Sequence, residues 1–550
     1  MRARRTFIAA LAGALLLTGA SAASAEPEAV QVNAPVPVIE WGPCEGEGSE
    51  ELAAFECASV EVPRDYDRPQ GKTTSIALTR LPATSASQRT GSLFVNFGGP
   101  GGPGVAGLHG WGYFLDPRVH ARFDVIGFDP RGVGQSDPIT CFPDAASEAA
   151  FMQNRGAFPL TAAQETAYIR STRVLANACQ LFSGDRIRHA STANVARDMD
   201  LLRQAVGDEQ LSYIGYSYGT VLGATYAALF PQRVRALVLD GTVDPEVWSG
   251  GPGSIGQRTG GWAGAEAFDQ FLALCAQAGG EACALAALGE PKQLVDALFE
   301  RLQEAPIDVP LPDGSSVSVP YDFVVANSFG SMYAPAGWPD LAAFLALLVV
   351  ASSPQQANDA LSLQSRAGGK SIGELLRERG LIEDYPGSIG GFMGATCTDG
   401  RHPLKPWEYQ AQADEADAEA PHFGRYRSWL GLECEFVNFR DRDAYRGPWQ
   451  QTTDAPVMVI GTRYDPSTAY EFTRPYADHF PDARMMTVEG YGHTTAGIST
   501  CANVAIGTYL IDLEATDGAV CGQDFAPFDP LPGDVGAEQL MLAPQVPALW

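Results

Sequence analysis

The chain has 550 residues, 45% of them hydrophobic, so it can bury a large core, but it exceeds the size of one ordinary domain. Its 37 lysine and arginine residues stand against 65 acidic residues, which gives a formal net charge of −28. That charge repels phosphate backbones and anionic lipid, which argues against nucleic acid as a partner. We interpret the acidity as a solubility feature of an extracellular protein.

The first 25 residues have the pattern of a signal peptide. Arg2, Arg4 and Arg5 precede an apolar run that ends in the small residues 23–25, typical of a cleavage site. The run is shorter than the roughly 20 apolar residues that a membrane span needs, so we expect no stable membrane insertion. We predict a secreted protein that begins at Glu26, with the twin-arginine export route left open. Removing three positive charges takes the net charge from −28 to −31.

The ten cysteines are an even number, which suits disulfides in an oxidising compartment. The sequence does not fix their connectivity, but pairing of sequence neighbours would close short local loops. We therefore predict five pairs: Cys44 with Cys57, Cys141 with Cys179, Cys275 with Cys283, Cys397 with Cys434, and Cys501 with Cys521. The sequence contains no C-x-x-C pair, which argues against a zinc site, and we expect no metal.

Short β-like runs, mostly bounded by Gly, Pro or Asp, fall into two groups separated by a long interval. They span residues 57–62, 74–81, 92–97, 123–128, 211–214, 235–239, 457–460 and 485–488. Helical stretches, notably 193–206 and 218–230, lie between several of them. This alternation predicts an α/β fold with a mostly parallel sheet flanked by helices.

The alternation lapses between about residues 248 and 453, where helical periods such as 291–303 and 341–350 dominate. We predict an inserted helical cap domain there. The expected organisation is a leader, a sheet domain in two parts around the cap, and a proline-containing tail that forms a surface strap. The leader covers residues 1–25 and the sheet domain covers 26–247 and 454–522. The cap covers 248–453 and the tail covers 523–550.

The strongest chemical signal is Gly215-Tyr216-Ser217-Tyr218-Gly219, which follows the predicted strand LSYI and precedes a predicted helix. G-x-S-x-G in a strand–turn–helix context is typical of a nucleophile elbow, in which a sharp turn exposes the serine. Side chains at the two glycine positions would collide with the neighbouring strand and helix. The pattern predicts a hydrolase whose nucleophile is Ser217.

A serine hydroxyl needs a general base, and in this arrangement an acid and then a histidine follow the serine along the chain. His493 lies in a glycine-rich loop after the predicted strand 485–488, so we predict that it is the base. The other later histidines lie in the cap or in a predicted helix: His402, His422 and His479. For the acid we favour Asp465, in the loop after strand 457–460, and Asp240 at another strand end is the alternative.

The run NFGGPGGPG (96–104) follows a predicted strand, and its glycines allow backbone N–H groups to approach a ligand closely. It suits half of an oxyanion hole, and the N–H of Tyr218 would supply the other donor. The run also matches the G-x-G-x-x-G pattern of dinucleotide sites. Pro100 and Pro103 remove two donors that a pyrophosphate would need, so we reject that interpretation.

Together these motifs resemble the exported tripeptidyl aminopeptidases and proline iminopeptidases among the α/β hydrolases, over nearly the whole mature chain. The matching segments are NFGGPGGPG, FDPRGVGQSDP (128–138), GYSYG, YDPST (464–468), GYGH (490–493) and the final pair Cys501 and Cys521. In the second segment we interpret Asp129 and Arg131 as structural, a loop-bracing ion pair. Phe97 and Ala469 depart from the family's usual residues, and Phe97 could alter a nearby subsite.

The resemblance implies an α/β-hydrolase fold with Ser217 as nucleophile, Asp465 as acid, His493 as base, and Gly99 and Tyr218 as oxyanion donors. It implies a cap carboxylate that binds a free α-amino group, for which Asp399 is a candidate, and a mechanism that needs no cofactor. The expected activity is release of short peptides, tripeptides in particular, or single residues from free N-termini. A carboxylesterase or lactonase with the same triad is the alternative. The sequence leaves the oligomeric state open.

Overall fold

The computed structural model describes residues 32–45, 52–250, 261–311, 314–352, 389–401 and 405–529. The predicted signal peptide, His402 and most of the predicted tail lie outside these residues. The strands are β1 Gly42–Pro43, β2 Glu56–Pro63, β3 Thr73–Leu81, β4 Gly91–Asn96, β5 Phe123–Phe128, β6 Leu211–Tyr216, β7 Val234–Asp240, β8 Ile307–Pro310, β9 Ser316–Val319, β10 Val457–Tyr464, β11 Ala483–Tyr491 and β12 Ala519–Gly522.

The helices up to the start of the predicted cap are α1 Gly104–Trp111, α2 Pro117–Arg122, α3 Ala145–Arg155, α4 Ala162–Ser183, α5 Thr192–Ala205, α6 Tyr218–Leu229 and α7 Pro245–Gly250, the last of which runs across that start. Those that follow are α8 Gly261–Ala282, α9 Pro291–Glu304, α10 Tyr321–Ser331, α11 Trp338–Ala351, α12 Ile389–Asp399, α13 Tyr409–Glu419, α14 Phe423–Ser428, α15 Thr473–Ala477 and α16 Thr500–Asp512. Short 3₁₀ turns connect several of them.

The described strands build one ten-stranded sheet in the order β1-β2-β3-β5-β4-β6-β7-β10-β11-β12. The pairs β1–β2, β2–β3 and β3–β5 are antiparallel, and every pair from β5 to β12 is parallel. The mostly parallel sheet predicted from the sequence is thus confirmed. Because parallel strands point the same way, their carboxyl ends and the loops that follow them meet at one edge.

The sheet is covered on both faces, as its sequence demands. Every residue of β4, β5 and β6 is buried, which fits their continuous apolar runs. Alternate residues serve opposite faces, since Leu93 packs in one hydrophobic cluster with Ile506 of α16, whereas Phe94 packs in another with Leu222 of α6. These two cores fix the strand ends that carry the site.

A separate hydrophobic cluster contains residues of the four helices from α8 to α11, of the β8–β9 hairpin, and of α13 and α14, all within the predicted cap. Phe158 and Tyr168, from the segment between β5 and β6, pack in the same cluster. The domain bounds predicted from the sequence assign these two residues to the sheet domain. Phe528 of the tail also joins it and packs against Phe271 at a ring distance of 5.9 Å. The cap core therefore draws on three separate parts of the chain.

All five disulfides pair as predicted, and no described cysteine is free. They are consistent with an oxidising, extracellular compartment. Cys44, Cys57 and His109 form the one group of described residues whose ligand atoms lie close enough for a metal ion, but the two sulfurs are bonded to each other and offer no thiolate. None of the described helices has the length and apolarity to cross a membrane.

Candidate active site

Ser217 lies at the sharp turn between β6 and α6, at the carboxyl edge of the sheet. Its φ of 55° and ψ of −124° fall in a region that residues with a side chain rarely adopt. The backbone N–H of Ser217 donates to the carbonyl of Asp240 at 2.9 Å, which anchors the turn to the end of β7. The residue is 6% exposed.

The glycines on either side of this turn are required by space. A Cβ atom at Gly215 would lie 2.3 Å from the carbonyl oxygen of Gly219, and one at Gly219 would lie 2.8 Å from the carbonyl oxygen of Asn96 in β4. Both distances are shorter than any tolerable contact. The steric reason given for the G-x-S-x-G pattern therefore applies here.

His493 and Asp465 meet in the loops that follow β11 and β10. The imidazole Nδ1 lies 2.9 Å from Oδ1 and 2.8 Å from Oδ2 of Asp465. The carboxylate also accepts the backbone N–H groups of Ser467 and Thr468, both at 2.8 Å, and the Thr468 hydroxyl at 2.7 Å. This set of donors fixes the orientation of the acid.

The electrostatics of the pair favour a charged acid. Burial by itself would raise the pKa of Asp465, but the charge on His493 and the hydrogen bonds from His493 and Thr468 outweigh it and lower the pKa. An ionised Asp465 assigns the imidazole proton to Nδ1, which leaves Nε2 as an acceptor. Nε2 is buried and has no hydrogen-bond partner among the described residues.

The cap supports the histidine through Tyr333, which follows α10. The backbone N–H of His493 donates to the carbonyl of Tyr333 at 2.9 Å, and the two rings meet edge to face at 4.7 Å. Sequence reasoning missed Tyr333, because no local pattern connects it with a loop 160 residues later. The other described histidines after the elbow lie elsewhere: His422 bonds to Tyr321 in the cap, and His479 to Asp244.

The glycine-rich loop after β4 packs directly on the elbow. A Cβ at Gly98 would lie 2.9 Å from Cβ of Ser217 and 3.2 Å from the backbone nitrogen of Tyr218. The N–H of Gly98 is already donated to the Asn96 side chain at 3.0 Å. The N–H of Tyr218 lies in the first turn of α6, where helical N–H groups lack intrahelical acceptors. The structure thus packs Gly98, the neighbour of the predicted donor Gly99, against Tyr218, and the oxyanion roles of Gly99 and Tyr218 stay predictions.

Asp399 ends the cap helix α12 and is buried beside Tyr218. Its Oδ1 accepts the N–H of Thr192 at 2.9 Å, and its Oδ2 accepts the Thr192 hydroxyl and the indole N–H of Trp248, the latter at 2.8 Å. Since the single hydroxyl proton of Thr192 is used in this way, its oxygen accepts the hydroxyl of Tyr218. Contact of Asp399 with a substrate amine stays a prediction, and these bonds favour support of Tyr218 instead.

Asp240, the alternative acid, bonds to the histidine loop but not to the imidazole. Its Oδ2 accepts the backbone N–H and the hydroxyl of Thr495, at 2.9 and 2.6 Å. Burial raises the pKa of Asp240 to about 7. Among the described contacts, Asp465 is the carboxylate that is hydrogen-bonded to His493.

Asp129 and Arg131 brace the loop after β5, as expected of structural residues, but not as a pair with each other. Asp129 accepts the backbone N–H groups of Val105 and Gln135 at 2.9 and 2.8 Å. The buried guanidinium of Arg131 pairs with Asp198 of α5. The loop is therefore braced by two separate carboxylates: Asp129 accepts its backbone N–H groups, and Asp198 holds Arg131.

The order of the strands and the nucleophile elbow define the protein as an α/β hydrolase. Comparison with known proteins agrees: a profile of the α/β-hydrolase fold matches residues 97–334, and a profile described as TAP-like protein matches residues 420–521. The chain belongs to the α/β-hydrolase family and is an enzyme.

The curated relatives extend over most of the chain. Serine protease Hip1 of Mycobacterium tuberculosis is 30% identical, over 91% of this chain and 93% of the relative. Tripeptidyl aminopeptidase of Streptomyces coelicolor is 28% identical, over 86% of this chain and 84% of the relative. Carboxylesterase B of Mycobacterium tuberculosis is 32% identical, over 89% and 91%. The similarity therefore spans the region of the predicted cap as well as the strands of the sheet.

Proposed function

We propose that the protein is a secreted serine exopeptidase that releases short peptides, tripeptides in particular, or single residues from free N-termini. The observation that carries the proposal is the buried Asp465–His493 pair, whose Nε2 has no partner among the described residues, together with the strained Ser217 elbow, which Asp240 links to the histidine loop. Two of the three relatives named above are peptidases, which favours peptide bonds as the substrate.

The mechanism proposed for this geometry is acyl transfer. His493 Nε2 takes the hydroxyl proton of Ser217 as the serine oxygen attacks the carbonyl carbon, and the negative oxygen accepts the N–H groups of Gly99 and Tyr218. Asp465 stabilises the imidazolium. His493 then gives the proton to the leaving amine, and a water molecule, activated by the same imidazole, hydrolyses the acyl-enzyme.

The cap supports the exopeptidase part of the proposal. Ser217 is 6% exposed and His493 3% exposed, so the interior of a folded protein has poor access to them. The cap helix α12 packs on the glycine-rich loop, since a Cβ at Gly101 would lie 2.9 Å from the backbone nitrogen of Phe392. A buried site under a cap favours a chain end or a short peptide as substrate.

Hydrolysis of a carboxylic ester is the second candidate, because a relative named carboxylesterase B is 32% identical over most of the chain. The same nucleophile and base attack esters and amides alike. The two candidates differ in what the leaving group and the N-terminal side of the substrate contribute to binding.

The test is a turnover panel of four chromogenic substrates: a tripeptide amide with a free amine, the same tripeptide blocked at its N-terminus, a free-amine proline amide, and a short acyl ester. We expect turnover of the free-amine amides, at least about 10²-fold loss on blocking, and none in Ser217→Ala. Turnover of the ester alone would replace the peptidase with an esterase. Equal rates for free and blocked tripeptides would contradict the exopeptidase.

We further propose that residues 1–25 are a cleaved signal peptide and that residues 248–453 form the inserted cap. The run of small residues before Glu26 supports the first point, and the cap cluster supports the second. N-terminal sequencing of protein collected from the culture medium should begin at Glu26. A start at Met1 in cell extracts, with none in the medium, would contradict export.

A further inference from the structure

Asp240 is joined to both halves of the proposed catalytic pair. Its backbone carbonyl accepts the N–H of Ser217 at 2.9 Å, and its Oδ2 accepts the two Thr495 donors in the loop that carries His493. The nucleophile elbow and the histidine loop are thus held together by one residue at the end of β7. This position also brings its carboxyl group close to the charged groups of the site.

The second carboxyl oxygen of Asp240 has no evident structural purpose. Oδ1 is buried with no hydrogen-bond partner among the described residues. An unsatisfied buried oxygen costs free energy, and the two Thr495 bonds need only the other oxygen. A carboxyl group kept at such a position therefore calls for an explanation based on its charge.

Three titratable groups face Asp240 from the elements packed around it. Asp465 comes from the loop after β10, His493 from the loop after β11, and Tyr216 from β6. The closeness of Asp465 is geometric: a Cβ at Gly241, the residue after Asp240, would lie only 3.5 Å from Oδ2 of Asp465. Burial raises the pKa of Asp240 to about 7, Thr495 lowers it, the charge of Asp465 raises it, and that of His493 lowers it.

We propose that Asp240 is a positioning residue: it holds the histidine loop on the nucleophile elbow, and its negative charge helps to stabilise the imidazolium that forms during the reaction. This inference rests on the proposed roles of Ser217 and His493. When Asp240 is ionised, its charge favours the imidazolium that forms as Ser217 loses its proton. When it is protonated, that help is absent, and Asp465 alone stabilises the imidazolium.

The test measures the rate at which a fluorophosphonate labels Ser217 between pH 5 and 9, a readout that needs the serine and the histidine but no particular substrate. Asp240→Asn keeps an oxygen for the Thr495 bonds and removes the charge. We expect its labelling rate at pH 8 to fall about tenfold and the ionisation near pH 7 to disappear from the pH profile. Thr495→Val removes a hydrogen bond that stabilises the anion, so it should move that ionisation to higher pH.

The matched control is Asp208→Asn, at the opposite edge of the sheet. Burial also raises the pKa of Asp208, and its carboxylate accepts the N–H of Ser92 at the start of β4. Its pH profile should coincide with that of the wild type. A profile of Asp240→Asn that coincides with the wild type would overturn the inference. If that variant does not fold, an unshifted profile of Thr495→Val would overturn it. Labelling that persists in Ser217→Ala would instead refute the proposed nucleophile.

Discussion

Asp465→Asn is the substitution that most directly tests the proposed acid. The carboxylate receives fixed backbone donors from Ser467 and Thr468 at Oδ1, so an asparagine must keep its oxygen there and turn its NH₂ group to the Oδ2 position. Thr468 can rotate its hydroxyl to accept that group. The NH₂ group then lies 2.8 Å from Nδ1 of His493 and 3.2 Å from the backbone nitrogen of Thr494, so donors would face each other at both contacts, and only the remaining oxygen, 2.9 Å from Nδ1, still accepts.

The imidazole can relieve this clash by moving its proton from Nδ1 to Nε2, and it then has no lone pair for the proton of Ser217. Loss of the acid's charge adds to the effect, because Asp465 is the carboxylate hydrogen-bonded to His493 among the described residues. We expect kcat to fall by about 10³–10⁴, or about 4–5.5 kcal/mol in the activation barrier. The assay compares kcat of the two proteins on a free-amine tripeptide amide, with circular dichroism to check the fold. A folded variant within tenfold of wild type would refute Asp465 as the acid.

The other predictions address the nucleophile, the oxyanion loop, Asp399 and stability. Ser217→Ala should abolish turnover, and residual activity above background would refute it as nucleophile. Gly98→Ala places a methyl 2.6 Å from the Tyr216 carbonyl at a φ of 89°, so turnover should fall at least about 10²-fold, and a wild-type rate would contradict the close packing. Asp399→Asn should lower kcat and leave the preference for free amines unchanged. Since the folded pKa of Asp240 is about 7, well above the unfolded value, the folded state binds the extra proton, and stability should fall by up to about 4 kcal/mol as pH rises from 4 to 8. Urea unfolding should show that Asp240→Asn has a higher free energy of unfolding than wild type at pH 8 and not at pH 5. An equal difference between the two proteins at both pH values would contradict the raised pKa of Asp240.

The parallel sheet was predictable because its strands carry strong local signals. The apolar run in β4 and the turn residues that follow it identify both the strand and its end. The helices α3 and α4 were not predicted, although α4 begins with a capping box of Thr161 and Gln164, which is a readable start signal. Their packing against the cap was beyond prediction, since it depends on contacts between Phe158 or Tyr168 and residues more than a hundred positions later.

The site was predictable where its residues end strands and less so where the cap contributes. Ser217, Asp465 and His493 each lie in a loop after a β-run, and parallel strands bring such loops to one edge. Tyr333 and Trp248 lie in the predicted cap, with nothing in their local sequence to connect them with the site. Asp399 illustrates the limit: an acidic residue beside a cysteine is visible in the sequence, but the partners that occupy its oxygens are not.

The two proposed oxyanion donors both depend on the cap helix α12. On one side, Gly101 of the donor loop packs against Gly391 and Phe392 of that helix. On the other, the hydroxyl of Tyr218 reaches Asp399 at the end of the same helix through the hydroxyl of Thr192. A displacement of α12 therefore disturbs both donors together, whereas the Asp465–His493 pair keeps its own hydrogen bonds. We therefore expect formation of the proposed oxyanion hole to require α12 in place, so that the cap contributes to the chemical step and not only to the choice of substrate.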